Sequence, residues 1–342
     1  MRAALVMCHA DRSMAGAMRE LNFSKYLGEF GVEVEVFRIF KGAEPEEESF
    51  LRGRIKTRFF PPDIEEAVPH RLVSTQLADA IRAFAPDVII FKGLSYAIAA
   101  FVHERLPDIP YGFIVGGSVR DTVLEGARFI FGEYTQQLDN HFQAHSAAGR
   151  TYVLPKYIDP VLAAMERAAE PAYDIVNVGN FHEKRKNQKD VLPFAANWRI
   201  ALVGGDKLPE EWEPLVPNPD NVKLLGRLKQ DGVFAALLNA RIMVHTSTMD
   251  GLPRSMIESM AAGTPVIAYR ETIYGGIVEG EHGFLVTPDT LAHAVELLLR
   301  EETLRQEMSS KARAYAEKFH GLNGLRKTAK MFAEELRTRL LA

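Results

Sequence analysis

Short apolar runs alternate with longer amphipathic stretches along most of the chain. The first run covers residues 3–8, and the segment 14–30 that follows it places apolar side chains at helical spacing. Gly31 ends this helix, and residues 32–37 form the next apolar run. Short apolar runs between helical stretches are typical of buried strands in a parallel sheet covered by helices. The pattern therefore predicts an α/β protein.

About ten strands are predicted in this way. They cover residues 3–8, 32–37, 87–91, 110–115, 152–154, 175–178, 198–203, 222–225, 242–245 and 265–269. Ten strands in 342 residues suit two doubly wound sheets better than one, because a domain has roughly 150 residues. The boundary is expected near Pro155–Pro171, where prolines and a small Ala/Glu-rich helix separate two strand–helix series.

Composition is ordinary for a soluble protein and excludes several classes. Lys and Arg number 41 against 45 Asp and Glu, so the formal charge is −4, and no nucleic-acid partner is expected. A single cysteine, Cys8, excludes an internal disulfide and a cysteine-based zinc site. No apolar segment reaches the roughly 18–20 residues of a membrane span, and the first apolar run is too short for a signal peptide. The expected location is the cytoplasm.

Two charge runs of opposite sign lie close together. Residues 44–48 hold four glutamates, and residues 52–58 hold four Lys or Arg side chains followed by Phe59 and Phe60. We interpret the pair as a solvated loop. The alternative is a patch for an anionic acceptor or for anionic lipid, which would place the protein peripherally at the inner face of a membrane.

Residues 243–268, MVHTSTMDGLPRSMIESMAAGTPVIA, carry the most informative pattern. A strand ending at His245 leads through a polar turn to Pro253, which suits the first position of a helix. The free backbone N–H groups of such a turn form a site for an anion or for hydroxyl groups. Asp250 and Glu258 lie a little over two helical turns apart, so both carboxylates are expected to face one ligand.

The order acid, Gly, any residue, Pro, four residues, Glu, a run of small residues, Gly, any residue and Pro-Val-Ile resembles the signature of the family-4 retaining glycosyltransferases. Further segments that resemble this family are 14–19, 131–135, 153–159, 177–187, 202–206 and 222–226. The resemblance implies a GT-B architecture of two Rossmann-like, doubly wound parallel-sheet domains facing a central cleft. It implies an acceptor-binding domain at 1–160, a donor-binding domain at 161–320 and a terminal helix at 321–342 that crosses back to the first domain.

The resemblance also implies roles for individual residues. Lys186, with Arg185, would neutralise the donor diphosphate, although a solvated basic loop is the alternative. Glu258 would hold the ribose hydroxyls and Asp250 the transferred sugar. The other donor-binding candidates are Gly16, Ala17, Asn180, Lys184, Gly204, Leu225, Gly226, Ser247, Gly251, Leu252, Pro253 and Ser255. For Ser247 and Ser255, helix capping is an equally good interpretation.

The activity implied is that of a retaining hexosyltransferase-type enzyme (EC 2.4) of cell-envelope glycan biosynthesis. It would move a sugar from a nucleotide-diphosphate sugar to a glycan, lipid or small-molecule acceptor by same-face attack, without a metal or other cofactor. The sequence holds no Asp-x-Asp and no His-Glu-x-x-His motif. A non-catalytic GT-B protein that binds a nucleotide sugar or glycan is the alternative, because Asn180 replaces the usual arginine and Asp250 the usual glutamate. A nicotinamide oxidoreductase is disfavoured, because residues 9–14 lack the Gly-x-Gly-x-x-Gly motif.

Overall fold

The computed structural model describes residues 1–14, 17–64, 68–116, 121–139, 150–273 and 275–340. The chain divides into two compact units, Met1–Tyr157 together with Leu322–Ala342, and Ile158–Gly321. Each unit is built on one sheet whose strands are connected mainly by helices. The prediction of two Rossmann-like α/β domains is confirmed.

The first unit contains an eight-stranded sheet in the order β3-β4-β2-β1-β5-β6-β7-β8. Its strands are β1 (Arg2–Met7), β2 (Glu33–Ile39), β3 (Glu46–Phe50), β4 (Ile55–Phe60), β5 (Val88–Lys92), β6 (Tyr111–Ile114), β7 (Phe129–Gly132) and β8 (Thr151–Val153). Its helices are α1 (Met18–Glu29), α2 (Thr75–Phe84), α3 (Ala97–Arg105), α4 (Thr135–Gln137) and, after the second unit, α10 (Leu322–Glu335). All neighbouring strands are parallel except the pair β3–β4.

Alternating side chains of the first unit's sheet supply two separate cores. Leu5 of β1 belongs to the core on one face, and Val6 belongs to the core on the other. The first core also holds Phe332 of α10, whose ring packs against Phe129 of β7 at 4.7 Å between ring centroids. Burial on both faces explains why the strands appear in the sequence as continuous apolar runs.

The two charge runs form a β-hairpin, so the prediction of a solvated loop was wrong. Residues 46–50 pair antiparallel with residues 55–59. Ile55 and Phe59 are buried, whereas Lys56 lies between them on the outer face and pairs with Glu47 at 3.0 Å. Lys56 and Arg58 are charged, and the strand of residues 46–50 contains three glutamates and no buried side chain, so both runs resemble a solvated loop in the sequence. The strands β7 and β14 were also not predicted.

The second unit contains a six-stranded parallel sheet in the order β11-β10-β9-β12-β13-β14. Its strands are β9 (Tyr173–Val178), β10 (Ile200–Val203), β11 (Val222–Leu224), β12 (Ala240–His245), β13 (Val266–Tyr269) and β14 (Gly283–Val286). Its α-helices are α5 (Pro160–Ala163), α6 (Gln230–Leu238), α7 (Arg254–Ala261), α8 (Pro288–Arg300) and α9 (Glu302–His320). The strand order reverses between β9 and β12, and the carboxyl ends of strands at such a reversal form the usual binding crevice of this sheet type. Within the described residues, no helix has both the length and the apolar character needed to cross a bilayer.

Candidate active site

The loops that follow β9 and β12 are held together at the point where the strand order reverses. Near the end of β9, the buried Asn177 donates from Nδ2 to the carbonyl oxygen of Val244 at 2.7 Å. The same nitrogen donates to Oγ1 of Thr246, in the loop after β12, at 3.1 Å. A single amide side chain therefore fixes the two loops beside each other.

The basic segment Lys184–Lys186 forms one short 3₁₀ turn in the loop after β9. Its backbone is bound to the signature loop, because Thr248 donates its backbone N–H to the carbonyl oxygen of Arg185 at 2.8 Å. Thr246 donates its hydroxyl to the carbonyl oxygen of Lys186 at 3.1 Å. These bonds place the cationic side chains next to the signature acid.

Asp250 accepts hydrogen bonds from three side chains. Lys186 Nζ lies 2.7 Å from Oδ2, and Arg185 Nη1 lies 2.8 Å from Oδ1. His245 Nε2 lies 3.0 Å from Oδ2. The side chains of Lys186 and Asp250 are 15% and 12% exposed, so most of this ion pair is shielded from bulk water.

The ionisation of this cluster follows from burial and charge together. Burial alone raises the pKa of Asp250, but hydrogen bonds from His245 and Lys186 outweigh it and hold that pKa well below its usual range. Burial lowers the pKa of His245, and the positive charges of Lys186 and Arg185 add to this effect against the attraction of Asp250. An ionised carboxylate can only accept hydrogen bonds, so a neutral His245 donates its Nε2–H to Asp250.

His245 is the site residue that sequence reasoning missed. It appears in the sequence only as the last residue of a predicted strand. Its side chain is 2% exposed and contacts the acid five positions later. A polar residue ending an otherwise apolar strand, just before the signature turn, was the available signal.

Glycines shape the neighbouring loops at the carboxyl ends of β9 and β10. Gly204 has φ +132°, and a Cβ there would overlap the carbonyl oxygen of Gly179. A Cβ at Gly179 would lie 2.9 Å from Cγ of Lys186, so the lysine stem lies against that glycine. Gly226 has φ +70°, and its carbonyl oxygen accepts the N–H of Gly204 at 2.7 Å. The predicted sites Gly204 and Gly226 thus touch, and Lys186 lies against Gly179, whose carbonyl oxygen is next to Gly204.

Glu258 lies on the helix of the signature, with a partner of its own. Pro253 is the N-cap of α7 rather than its first helical residue, and the helix ends before Gly263, which has φ +69°. The Glu258 side chain is buried, and Gln230 Nε2 donates to its Oε1 at 2.9 Å. Gln230 is the first residue of α6, the helix that follows β11. The Glu258 side chain therefore points toward the start of α6.

The remaining candidates fall into several environments. Gly251, with φ +75°, donates its N–H to the carbonyl oxygen of Thr272 at 2.7 Å, so this group is already bonded within the protein. Ser247 and Leu252 are buried. Four others have at least part of their surface exposed: Asn180, Lys184, Leu225 and Ser255. Ala17 is the buried N-cap of α1 in the first unit, and Gly16 lies outside the described residues.

Metal ligands are not clustered in the part of the chain that the structure describes. No group of three or more His, Cys, Asp or Glu side chains there is arranged to hold a metal ion.

Residues 162–315 match the family model described as glycosyl transferases group 1. The chain carries a group 1 glycosyltransferase domain. This group 1 domain contains Lys186, Asp250, His245 and Glu258, and so the whole of the cluster described above. Among curated relatives, the sulfoquinovosyl transferase SQD2 of Arabidopsis thaliana is 27% identical over 87% of this chain. The chain spans 66% of the length of that plant protein.

Several solved structures resemble this chain over nearly its whole length, and so over both units. Sucrose-phosphate synthase of Thermosynechococcus elongatus superposes with a TM-score of 0.73 at 16% identity, covering 98% of this chain and 99% of that one. HepE of Anabaena in complex with UDP gives a TM-score of 0.71 at 17% identity, covering 99% and 100%. At these identities the likeness establishes the fold, which is GT-B, as the resemblance of the sequence implied.

Proposed function

We propose that the protein is a retaining glycosyltransferase that takes a sugar from a nucleotide-diphosphate sugar and transfers it to a hydroxyl of a glycan, lipid or small molecule. The observation that carries this proposal is the cluster of Lys186, Arg185 and Asp250 at the strand-order reversal of a group 1 domain. Two cations and a carboxylate at such a crevice match a ligand that carries both phosphates and sugar hydroxyls.

Each member of the cluster has a distinct part in the proposed reaction. The bond from the anomeric carbon to the phosphate oxygen breaks while the acceptor oxygen bonds to the same face of that carbon, and the departing phosphate takes the acceptor proton. Lys186 and Arg185 stabilise the charge that grows on the diphosphate, which is electrostatic catalysis without a metal. Asp250 accepts hydrogen bonds from the transferred sugar, and Glu258 accepts them from the ribose.

Asp250 and the diphosphate compete for the same two cations in this mechanism. Both side chains donate to Asp250 at 2.8 Å or less. Donor binding would therefore redirect Lys186 and Arg185 toward phosphate oxygens and free carboxylate lone pairs for sugar hydroxyls. His245 would keep Asp250 in place during this exchange, because its bond to Oδ2 does not involve either cation.

A uridine nucleotide is the first donor to examine. HepE, which shares the fold, has been solved with UDP and with UDP-glucose. We therefore propose UDP-hexoses as the primary donor class. Guanosine, adenosine and cytidine nucleotides, with their sugar conjugates, complete the panel.

The test is release of nucleoside diphosphate from this panel with cell-extract acceptors, with and without EDTA. We expect turnover with one donor, unchanged by EDTA, and a product whose anomeric configuration by NMR equals that of the donor. Inversion at the anomeric carbon would refute the retaining mechanism, and loss of turnover in EDTA would refute metal independence. Binding of a donor without turnover under all conditions would identify the non-catalytic alternative instead.

A further inference from the structure

A cavity of about 740 Å³ opens at the edge of the second unit's sheet opposite the candidate active site. Its wall includes Pro171, Arg199, Arg241 and Pro265, which precede or begin β9, β10, β12 and β13. The active-site loops instead follow the carboxyl ends of the strands. The volume falls within the range of roughly 300–1,000 Å³ found for small-molecule sites.

Two arginines of this cavity are held rigidly by helix ends. Arg167 Nη1 donates to the carbonyl oxygen of Gly263 at 3.2 Å and to Oγ1 of Thr264 at 2.6 Å, just beyond α7. Arg305 Nη1 donates to the carbonyl oxygens of Leu298 and Leu299, at 2.9 and 3.2 Å, near the end of α8. Each guanidinium is therefore fixed in direction before any ligand arrives, which lowers the entropic cost of binding.

The other two arginines share one carboxylate. Asp174 lies 3.2 Å from Nε of Arg199 and 3.4 Å from Nε of Arg241. In contrast, neither Arg167 nor Arg305 has an ion pair with a carboxylate in the described part of the chain.

Positive charge therefore accumulates at the cavity without full compensation. Burial lowers the pKa of Arg167, and the charges of Arg305 and Arg313 lower it further. Burial lowers the pKa of Arg305 and the charge of Arg241 adds to that effect, whereas the charges of Glu302 and Asp174 oppose it. These cations repel one another. The carboxylates that line the cavity or pair with its arginines are Glu170, Glu302 and Asp174.

Phosphate is the ligand chemistry that fits this arrangement. The four arginines of the cavity exceed the three carboxylates by one, and Arg313 adds a positive charge that reaches Arg167 from outside the lining. A phosphate monoester carries a charge of about −1.5 to −2 at neutral pH. Guanidinium groups bind phosphate oxygens in a bidentate manner that ammonium groups do not match. Because the wall of the cavity is concave, a compact anionic group fits it better than a flat anionic surface does.

We propose that this cavity is a second, phosphate-binding site of the protein, distinct from the candidate donor site. It shares no residue with the cluster of Lys186 and Asp250, so it stands whether or not the proposed function is correct. A phosphate group could arrive on a soluble small molecule or on a lipid headgroup, and the experiment separates these sources.

The probe is inorganic pyrophosphate, titrated calorimetrically into the full chain at constant ionic strength. Lys186→Met is the background, because it removes a cation that would bind pyrophosphate at the candidate donor site. In this background Arg305→Gln and Arg241→Gln are compared, so that a folding defect in one leaves the other informative. The matched control is Arg300→Gln, which removes an arginine of α8 that is 70% exposed and pairs with Glu296.

We expect Arg305→Gln and Arg241→Gln each to weaken pyrophosphate binding about 10- to 100-fold, since each removes a charge-assisted hydrogen bond. Arg300→Gln is expected to change it less than about twofold. The proposal is overturned if the background protein binds no pyrophosphate, if both cavity variants bind it as the background does, or if the control weakens it equally.

Vesicles of phosphatidylcholine with or without phosphatidylglycerol form the second arm. Retention on the anionic vesicles that Arg305→Gln abolishes and Arg300→Gln preserves would assign the phosphate to a lipid headgroup. Pyrophosphate binding without such retention would assign it to a soluble ligand. If neither probe depends on Arg305 or Arg241, the site does not exist.

Discussion

Replacing Lys186 by methionine isolates the charge of the candidate catalytic cation. The lysine stem lies against Gly179, where a Cβ would come within 2.9 Å of Lys186 Cγ. Methionine has a stem of similar length, so it keeps this packing and removes only the ammonium group. The ion pair with Asp250, at 2.7 Å, is lost.

The expected effects on folding and on turnover differ in size. Removing one partner of a fully buried pair costs about 3–5 kcal/mol, and an exposed pair contributes about 0–1 kcal/mol. The Lys186–Asp250 pair lies between these limits, and Asp250 retains Arg185 and His245. We therefore expect a loss of about 1–2 kcal/mol in the free energy of unfolding. Turnover should fall about 10²- to 10³-fold, the usual effect of removing one group that stabilises transition-state charge.

Denaturant unfolding and release of nucleoside diphosphate measure these two quantities on the same preparation. Lys189→Met is the matched control, because it removes the same charge, three residues away, from an exposed side chain that is not among the donor-binding candidates. We expect the control to retain turnover within about twofold. Intact turnover in Lys186→Met would remove this lysine from the catalytic machinery, and an equal loss in Lys189→Met would indicate a general effect of positive charge in this segment.

Three further predictions concern other parts of the second unit. Glu258→Ala should abolish the rise in melting temperature that the nucleotide produces, and an unchanged rise would exclude Glu258 from the ribose site. Because the pKa of His245 is lowered in the folded state, the folded protein binds fewer protons than the unfolded one below pH about 6.5. The free energy of unfolding should therefore fall as pH drops below that value, by up to about 1.4 kcal/mol per pH unit for this group. In denaturant titrations at several pH values, His245→Gln should flatten the dependence of unfolding free energy on pH. An unaltered dependence would contradict the assignment. Gly204→Ala should cost more than about 2 kcal/mol in unfolding free energy, since its Cβ would overlap a carbonyl oxygen at positive φ. Gly280→Ala, also at positive φ but in open space, should cost about 1 kcal/mol, and equal losses would contradict the steric argument.

The fold was largely predictable because both sheets are buried on both faces. Apolar runs such as residues 3–8 and 242–245 therefore mark their strands directly. The prediction failed for the hairpin of residues 46–60, whose outward side chains are charged. Pattern alone cannot separate such strands from a charged loop, because register and pairing partners decide which positions face inward. The prediction also missed β7 and β14, which have only four residues each.

The candidate active site was predictable in part because its acids lie in one contiguous segment. The spacing of Asp250 and Glu258 identified the loop and the helix, but it did not give their partners. The contacts of Asp250 come from Lys186 and Arg185, more than 60 positions earlier, and from His245. Only the parallel order of β9 and β12 brings these segments together.

The same topology explains why the sequence did not predict the arginine-lined cavity. Its four arginines come from positions 167, 199, 241 and 305, each beside a different strand or helix end. A parallel sheet collects the amino ends of its strands at one edge, just as it collects their carboxyl ends at the other.

At the carboxyl edge, a signature acid neutralises the cations, so that a ligand must displace it. At the amino edge, Arg167 and Arg305 donate to backbone carbonyl oxygens, which leave their net charge in place. An anion entering the cavity would have no ion-paired carboxylate to displace from these two arginines, so binding there should depend on phosphate charge alone. Binding at the active site should in addition be strengthened by sugar or ribose hydroxyls.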